Sequence, residues 1–170
     1  MNSCGTISER SVANRPFGRL LALSFLFIAI FAGSAYAKAA VLNVTSPDAD
    51  ATYKAGAVIN ITVTFNESVG VLSGTPTLTL NTGTIKRNAT YSSGSVSNTL
   101  TFTYTVVAGD NSSDLDYLNT TALQPVGSIG NFDTGSANLT LVEPGAEGSL
   151  SFNKAIVIDT ISPTISAVNT

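Results

Sequence analysis

Asp110, Asp114 and Asp116 lie close together in Gly109-Asp-Asn-Ser-Ser-Asp-Leu-Asp-Tyr117. Carboxylates at this spacing suit a hard divalent cation. Calcium takes several oxygen ligands at roughly 2.3–2.6 Å, and a carboxylate-rich turn supplies them without histidine or cysteine. Glu67 follows an alternating run, and Asp159 closes the last apolar run. In a sandwich both reach the pole occupied by the Gly109–Asp116 connection. These five acidic residues are the candidate metal ligands, with calcium as the expected ion. A competing reading makes the same stretch a solvated crossover loop, in which Asp110 and Asp114 cap a short turn through backbone N–H groups. The spacing is not that of an EF-hand, because the required Gly and the distant Glu are missing. A second acidic pair, Asp48 and Asp50, flanks a turn beside Pro47, and turn chemistry accounts for it.

Catalysis finds little to work with. The chain has no histidine, its one cysteine is Cys4, and neither G-x-S-x-G nor H-E-x-x-H occurs. Paired carboxylates alone can serve a glycosidase, but here they fall in turns without an aromatic-lined cleft. The expectation is a protein that is not an enzyme.

The chain opens with an export signal. Arg10, Arg15 and Arg19 make a positive n-region, Leu20–Ala32 is an apolar core, and Ala35-Tyr-Ala37 is a small-x-small cleavage pattern. Residues 1–37 are therefore read as a signal peptide forming a helix, cut after Ala37. The alternative is an uncleaved anchor, since Leu20–Ala37 is nearly long enough to cross a bilayer. Either way the remainder is exported, secreted or held at the cell surface, with no membrane contact after cleavage.

The eight basic residues lose Arg10, Arg15 and Arg19 with the leader, and the eleven acidic ones lose Glu9, leaving five against ten. An acidic surface repels phosphate backbones, so nucleic acid is excluded as a partner. With Cys4 gone, no disulfide is available, and the domain must rest on its core, with bound ions as a supplement.

The elements that position the acidic residues are strands. Val58–Phe65 puts Ile59, Ile61 and Val63 on one face and Asn60, Thr62 and Thr64 on the other; Thr99–Val106 points Leu100, Phe102, Tyr104 and Val106 inward. A period of two marks half-buried strands, and β-branched Thr suits the wet face. Further strands are expected over Val41–Thr45, Thr77–Leu80, Thr84–Tyr91, Asn138–Val142 and Ala155–Ile158, separated by turn signals such as Ser73-Gly-Thr-Pro76, Ser92-Ser-Gly-Ser95 and Glu143-Pro-Gly145. Only Ser112–Leu118 is expected to form a short helical turn. The fold class is all-β: a Greek-key β-sandwich of about seven antiparallel strands. The domain spans residues 38–160. Residues 161–170 read as a linker and the first strand of a following repeat, because Ile165–Thr170 can be laid over Val41–Ser46.

Gly56–Glu67, Pro76–Asn81, Ala89–Gly94, Asn98–Val106, Ala108–Tyr117 and Ile156–Thr160, in that order, resemble the bacterial immunoglobulin-like repeats of large secreted surface proteins and adhesins. The likeness covers nearly all of Val41–Thr164, and Ala108–Tyr117 is its most specific part. It implies an immunoglobulin-like fold, tandem arrangement beside cadherin-like modules, no catalytic activity, and junction ions that stiffen the linker. Gly130–Asn138 only approximates the family pattern, which leaves Asp133 without an assigned role.

Asn43, Asn60, Asn66, Asn88, Asn111, Asn119 and Asn138 each head an N-x-S/T triplet. A chain rich in Ser and Thr produces such triplets by chance, and they are treated as mostly incidental. The expected function is a non-catalytic structural or adhesive repeat. Its expected partners are neighbouring repeats and cell-surface glycans or proteins. The alternative is a carbohydrate-binding module. Tyr53, Tyr117 and Phe132 would be its exposed contacts, whereas Phe65, Tyr91, Phe102, Tyr104 and Phe152 read as core.

Overall fold

The structure is a computed structural model, and it describes residues 37–131 and 133–161. The helix expected in the leader, Phe132 and the strand expected beyond Ser162 lie outside the described residues.

The central element is a long strand, whose alternating residues were the strongest strand signal in the sequence. β1 (Val41–Thr45), β2 (Thr52–Tyr53) and β3 (Val58–Gly74) come first, and the first half of β3 pairs antiparallel with both β1 and β6 (Ser97–Thr105). Ile59, Ile61, Val63, Leu100, Phe102 and Tyr104 are all buried, as their period of two requires. Removing each such side chain from water contributes roughly 1.5–3 kcal/mol. The Thr residues between them occupy the other face and are only partly covered.

Between Thr64 and Val69 the β3–β6 register breaks. The polar run Asn66-Glu-Ser68 interrupts the apolar alternation there, and a bulge bends the strand. Beyond it β3 turns to a new partner, β9 (Gly127–Asn131). Gly74 and Gly127 face each other at the far end of this pair, with φ of +73° and +130°, and a Cβ on either would run into the opposite backbone. Glycine is required at both.

β4 (Thr77–Leu80), β5 (Arg87–Ser93), β8 (Leu123–Gln124) and β10 (Gly135–Ser136) extend the sheet, giving the order β10-β9-β3-β6-β5-β4-β8, with β1 attached to β3. A second sheet has three strands in the order β2-β11-β7, with β7 (Asn111–Ser112) antiparallel and β2 parallel to the central β11 (Val157–Asp159). The architecture is all-β and sandwich-like. Its core draws on both sheets, from Ile59, Phe102 and Tyr117 to Ile156 and Ile158.

Several expectations need correction. Among the described residues eleven strands form where about seven were expected, because two-residue pairings such as β2, β7, β8 and β10 carry no periodicity. One of the pairs is parallel. The strand expected over Thr84–Tyr91 starts later, at Arg87. Thr82 Oγ1 donates to the carbonyl of Ile85, and Lys86 Nζ to that of Gly83, so this stretch closes into a turn. Asn138–Val142 is not a strand: Asn138 Oδ1 accepts from the backbone N of Thr140, a local bond that competes with a ladder. Ser112–Leu118 is not helical, because Ser112 pairs with Ile158 and the N–H of Leu115 donates to Ile156.

The short helix lies instead at α1 (Leu150–Asn153), where the side chain of buried Ser149 caps Phe152. A serine before an apolar residue is a recognisable cap signal. Four residues are too few for a helical repeat to stand out.

Candidate functional site

The Gly109–Tyr117 segment leaves the end of β6 and runs into the second sheet, and it carries three of the five acidic candidates. Asp110 is fully buried. Its Oδ1 accepts from Arg87 Nε at 2.8 Å, and its Oδ2 accepts from Tyr104 Oη at 2.7 Å and from the backbone N of Val107 at 3.0 Å. Burial by itself raises a carboxyl group, but the donors from Tyr104, Arg87 and Val107 outweigh it and hold Asp110 below the usual carboxylate range. Burial, with the bond to Asp110, pushes the Tyr104 phenol well above its ordinary value. Both oxygens of Asp110 therefore already face protein donors.

Asp116 is buried as well, and faces another way. Its Oδ1 accepts from the backbone N of Tyr117 at 2.8 Å, and its Oδ2 from Gly145 N at 3.0 Å and Ser151 Oγ at 2.6 Å. It thus fastens the loop before α1, and α1 itself, to the segment between β7 and Tyr117.

Asp114 is exposed. Desolvation raises its carboxyl, the backbone N–H of Ile156 opposes this, and the carboxylates of Asp116 and Asp50 add to the rise. Asp159 pairs with Lys54 Nζ at 2.9 Å and also accepts from the N–H of Ile161, and these contacts lower it. Asp50 pairs likewise with Lys154 at 2.8 Å.

The fold brings some of these residues together and separates others. Asp159 does reach the Asp110 loop: Gly109 N donates to Thr160 Oγ1 at 2.8 Å, and Thr160 Oγ1 donates to the Asp110 carbonyl at 2.8 Å. Glu67 does not share that pole. It sits in the bend of β3, beyond Thr64, whereas the Asp110 loop follows Thr105, which pairs with Val58 at the other end of the ladder. Among the described residues, no three Asp, Glu, His or Cys side chains converge to hold a metal ion. Asp110 and Asp116 instead organise hydrogen bonds.

Sequence reasoning missed Arg87, Tyr104 and Ser151, the side-chain partners of the two buried aspartates. Tyr104 was legible as a core residue, but nothing in the sequence pointed its hydroxyl at Asp110. Of the proposed aromatic contacts, Tyr117 is buried and donates from its hydroxyl to the carbonyl of Val142, so it offers no platform to a sugar. Phe152, read as core, is instead exposed.

Comparison with known proteins finds no matching family model, no matching curated relative and no matching solved structure.

Proposed function

We propose that this chain is a non-catalytic structural or adhesive repeat of an exported surface protein, an immunoglobulin-like spacer that transmits tension along its length. The observation that carries the reading is where the chain enters and leaves the domain. At one end, Ala40 and Asn66 are joined by two hydrogen bonds, Ala40 N to Asn66 Oδ1 at 2.8 Å and Asn66 N to the Ala40 carbonyl at 3.0 Å. At the other end, Thr160 is clamped to Gly109 and Asp110, just beyond the Val58–Thr105 pair. From Phe65 to Val58 the ladder rises about 23 Å at ~3.3 Å per residue. Entrance and exit thus lie at opposite poles, as end-to-end stacking requires.

The terminal strands support the same reading. β1 runs from the entrance along β3, and β11 runs toward the exit between β2 and β7. Pulling on the two ends shears these ladders along their length, so several hydrogen bonds resist together. Calcium has its place in this reading at the exit, where Asp159 is half-exposed and a following domain would supply the remaining oxygens.

Two copies joined at Ile161-to-Lys38 and measured by small-angle scattering test the proposal. An end-to-end particle about twice the length of one copy is expected. A compact, side-by-side particle overturns it.

A further inference from the structure

We propose that Asn119 and Asn138 are paired N-glycan acceptor sites, set apart by the fold from the other five sequons of the chain. Those five lie in strands: Asn43 in β1, Asn60 and Asn66 in β3, Asn88 in β5 and Asn111 in β7. Side chains two residues apart on a strand stand roughly 7 Å apart on one face, so in the Asn43, Asn60 and Asn88 sequons, which lie wholly within strands, the third residue cannot fold back on the acceptor amide. The carboxamide oxygens of four are also held by other partners: Asn43 by Asn153, Asn60 by Thr103, Asn66 by Ala40 and Asn88 by Thr79. Asn111 is held through its backbone, in register with Asp159.

Asn119 and Asn138 differ in one specific way. Asn119 Oδ1 accepts from both the backbone N of Thr121 at 3.0 Å and its Oγ1 at 2.9 Å, and Asn138 Oδ1 accepts from Thr140 N at 3.0 Å. In each, the third sequon residue already bends back onto the acceptor amide, and both asparagines are exposed. A carboxamide nitrogen is a poor nucleophile. Donors aimed at its oxygen draw electron density away from nitrogen and make an Nδ2 proton easier to remove. A transferase using an activated sugar phosphate can then complete the reaction. Nδ2 bonds to the anomeric carbon, and the anomeric C–O bond breaks with its electron pair leaving on the phosphate. The Nδ2 proton passes to a base of the transferase.

The two sites are neighbours. Leu141 N donates to the Thr120 carbonyl at 2.9 Å, which ties one turn to the other. Thr120, Thr121 and Thr140 line an open cavity of about 210 Å³ together with Leu123, Pro125 and Leu139. A lining that mixes apolar side chains with threonine hydroxyls can receive the C–H face of the first sugar ring of either glycan. The strand sequons offer no such arrangement without opening a sheet.

The test uses the folded protein, a soluble N-glycosyltransferase that modifies both N-x-T and N-x-S peptides, and its nucleotide-sugar donor. Mass spectrometry then locates each added sugar. Sugar at Asn119 and Asn138, with the strand sequons modified only after the protein is unfolded, supports the proposal. Asn119→Gln and Asn138→Gln should each lose one addition. A folded chain left bare at both positions, or modified as heavily at Asn88 or Asn60, overturns it. Because the readout is site by site on the unsubstituted protein, it does not depend on either variant folding.

Discussion

Arg87 donates from Nε to Oδ1 of Asp110 over 2.8 Å, joining the start of β5 to the loop that leaves β6. The carboxylate end of this pair is fully buried, while the Arg87 side chain keeps 28% of its exposure. Removing one partner of a buried pair leaves an uncompensated charge, which costs far more than the pair contributes when intact. Arg87→Met therefore destabilises the domain by about 2 kcal/mol, discounted for the partial exposure of the guanidinium. Urea denaturation measures it as a lower midpoint with an unchanged slope; an unchanged midpoint refutes the assignment.

The pH dependence follows from the same carboxylate. Asp110 is held below its unfolded value, so its contribution is present above the ordinary carboxylate range and is lost as pH falls through the folded value. The urea midpoint should therefore drop on acidification below about pH 4. Asp110→Asn should start from a lower midpoint at neutral pH and show a shallower acid drop. Equal slopes for the two proteins would assign the acid sensitivity elsewhere.

Asp114 has the opposite sign. Its folded value is raised, so the ionised form is disfavoured in the fold and weakens it at neutral pH. Asp114→Asn removes that charge beside Asp116 and Asp50 and should raise the melting temperature at pH 7. The gain should vanish at acid pH, where wild-type Asp114 is already protonated. Calorimetry at the two pH values checks both statements.

Asp116 holds Gly145 and Ser151 with a single carboxylate oxygen. Ser151→Ala should cost about 1–2 kcal/mol, because a strong hydrogen bond to a buried charged acceptor is lost. Asp116→Ala should cost more, since it also removes the acceptor of the Tyr117 N–H and leaves Gly145 N with Ser149 Oγ alone. Faster amide exchange at Gly145 in both variants would locate the effect at the turn before α1.

Calcium distinguishes the single domain from the array. The oxygens of Asp110 and Asp116 already accept from protein donors, so millimolar calcium should leave the melting temperature of one isolated copy unchanged. In two joined copies, where Asp159 faces a neighbour, calcium should raise it by mass action. A large calcium shift in the isolated domain would mean that the buried carboxylates exchange their protein partners for the ion.

The sequence by itself determined the parts governed by local physics. The alternation in Val58–Phe65 and Thr99–Val106 assigned Ile59, Ile61, Val63, Leu100, Phe102 and Tyr104 to the core, because neighbouring side chains on a strand must point to opposite faces. The acidic clustering at Asp110, Asp114 and Asp116 was equally plain. What it could not determine was the partner of each carboxylate. Arg87 lies 23 residues from Asp110 and Ser151 lies 35 from Asp116, and no sequence period relates them. The parallel pairing of β11 with β2, the bend that carries Glu67 away from the Asp110 loop, and the sorting of sequons into strands and turns are likewise tertiary outcomes. Strand faces follow from the geometry of one residue and its neighbours, but the direction of a buried carboxylate depends on which distant donors the sheets bring against it.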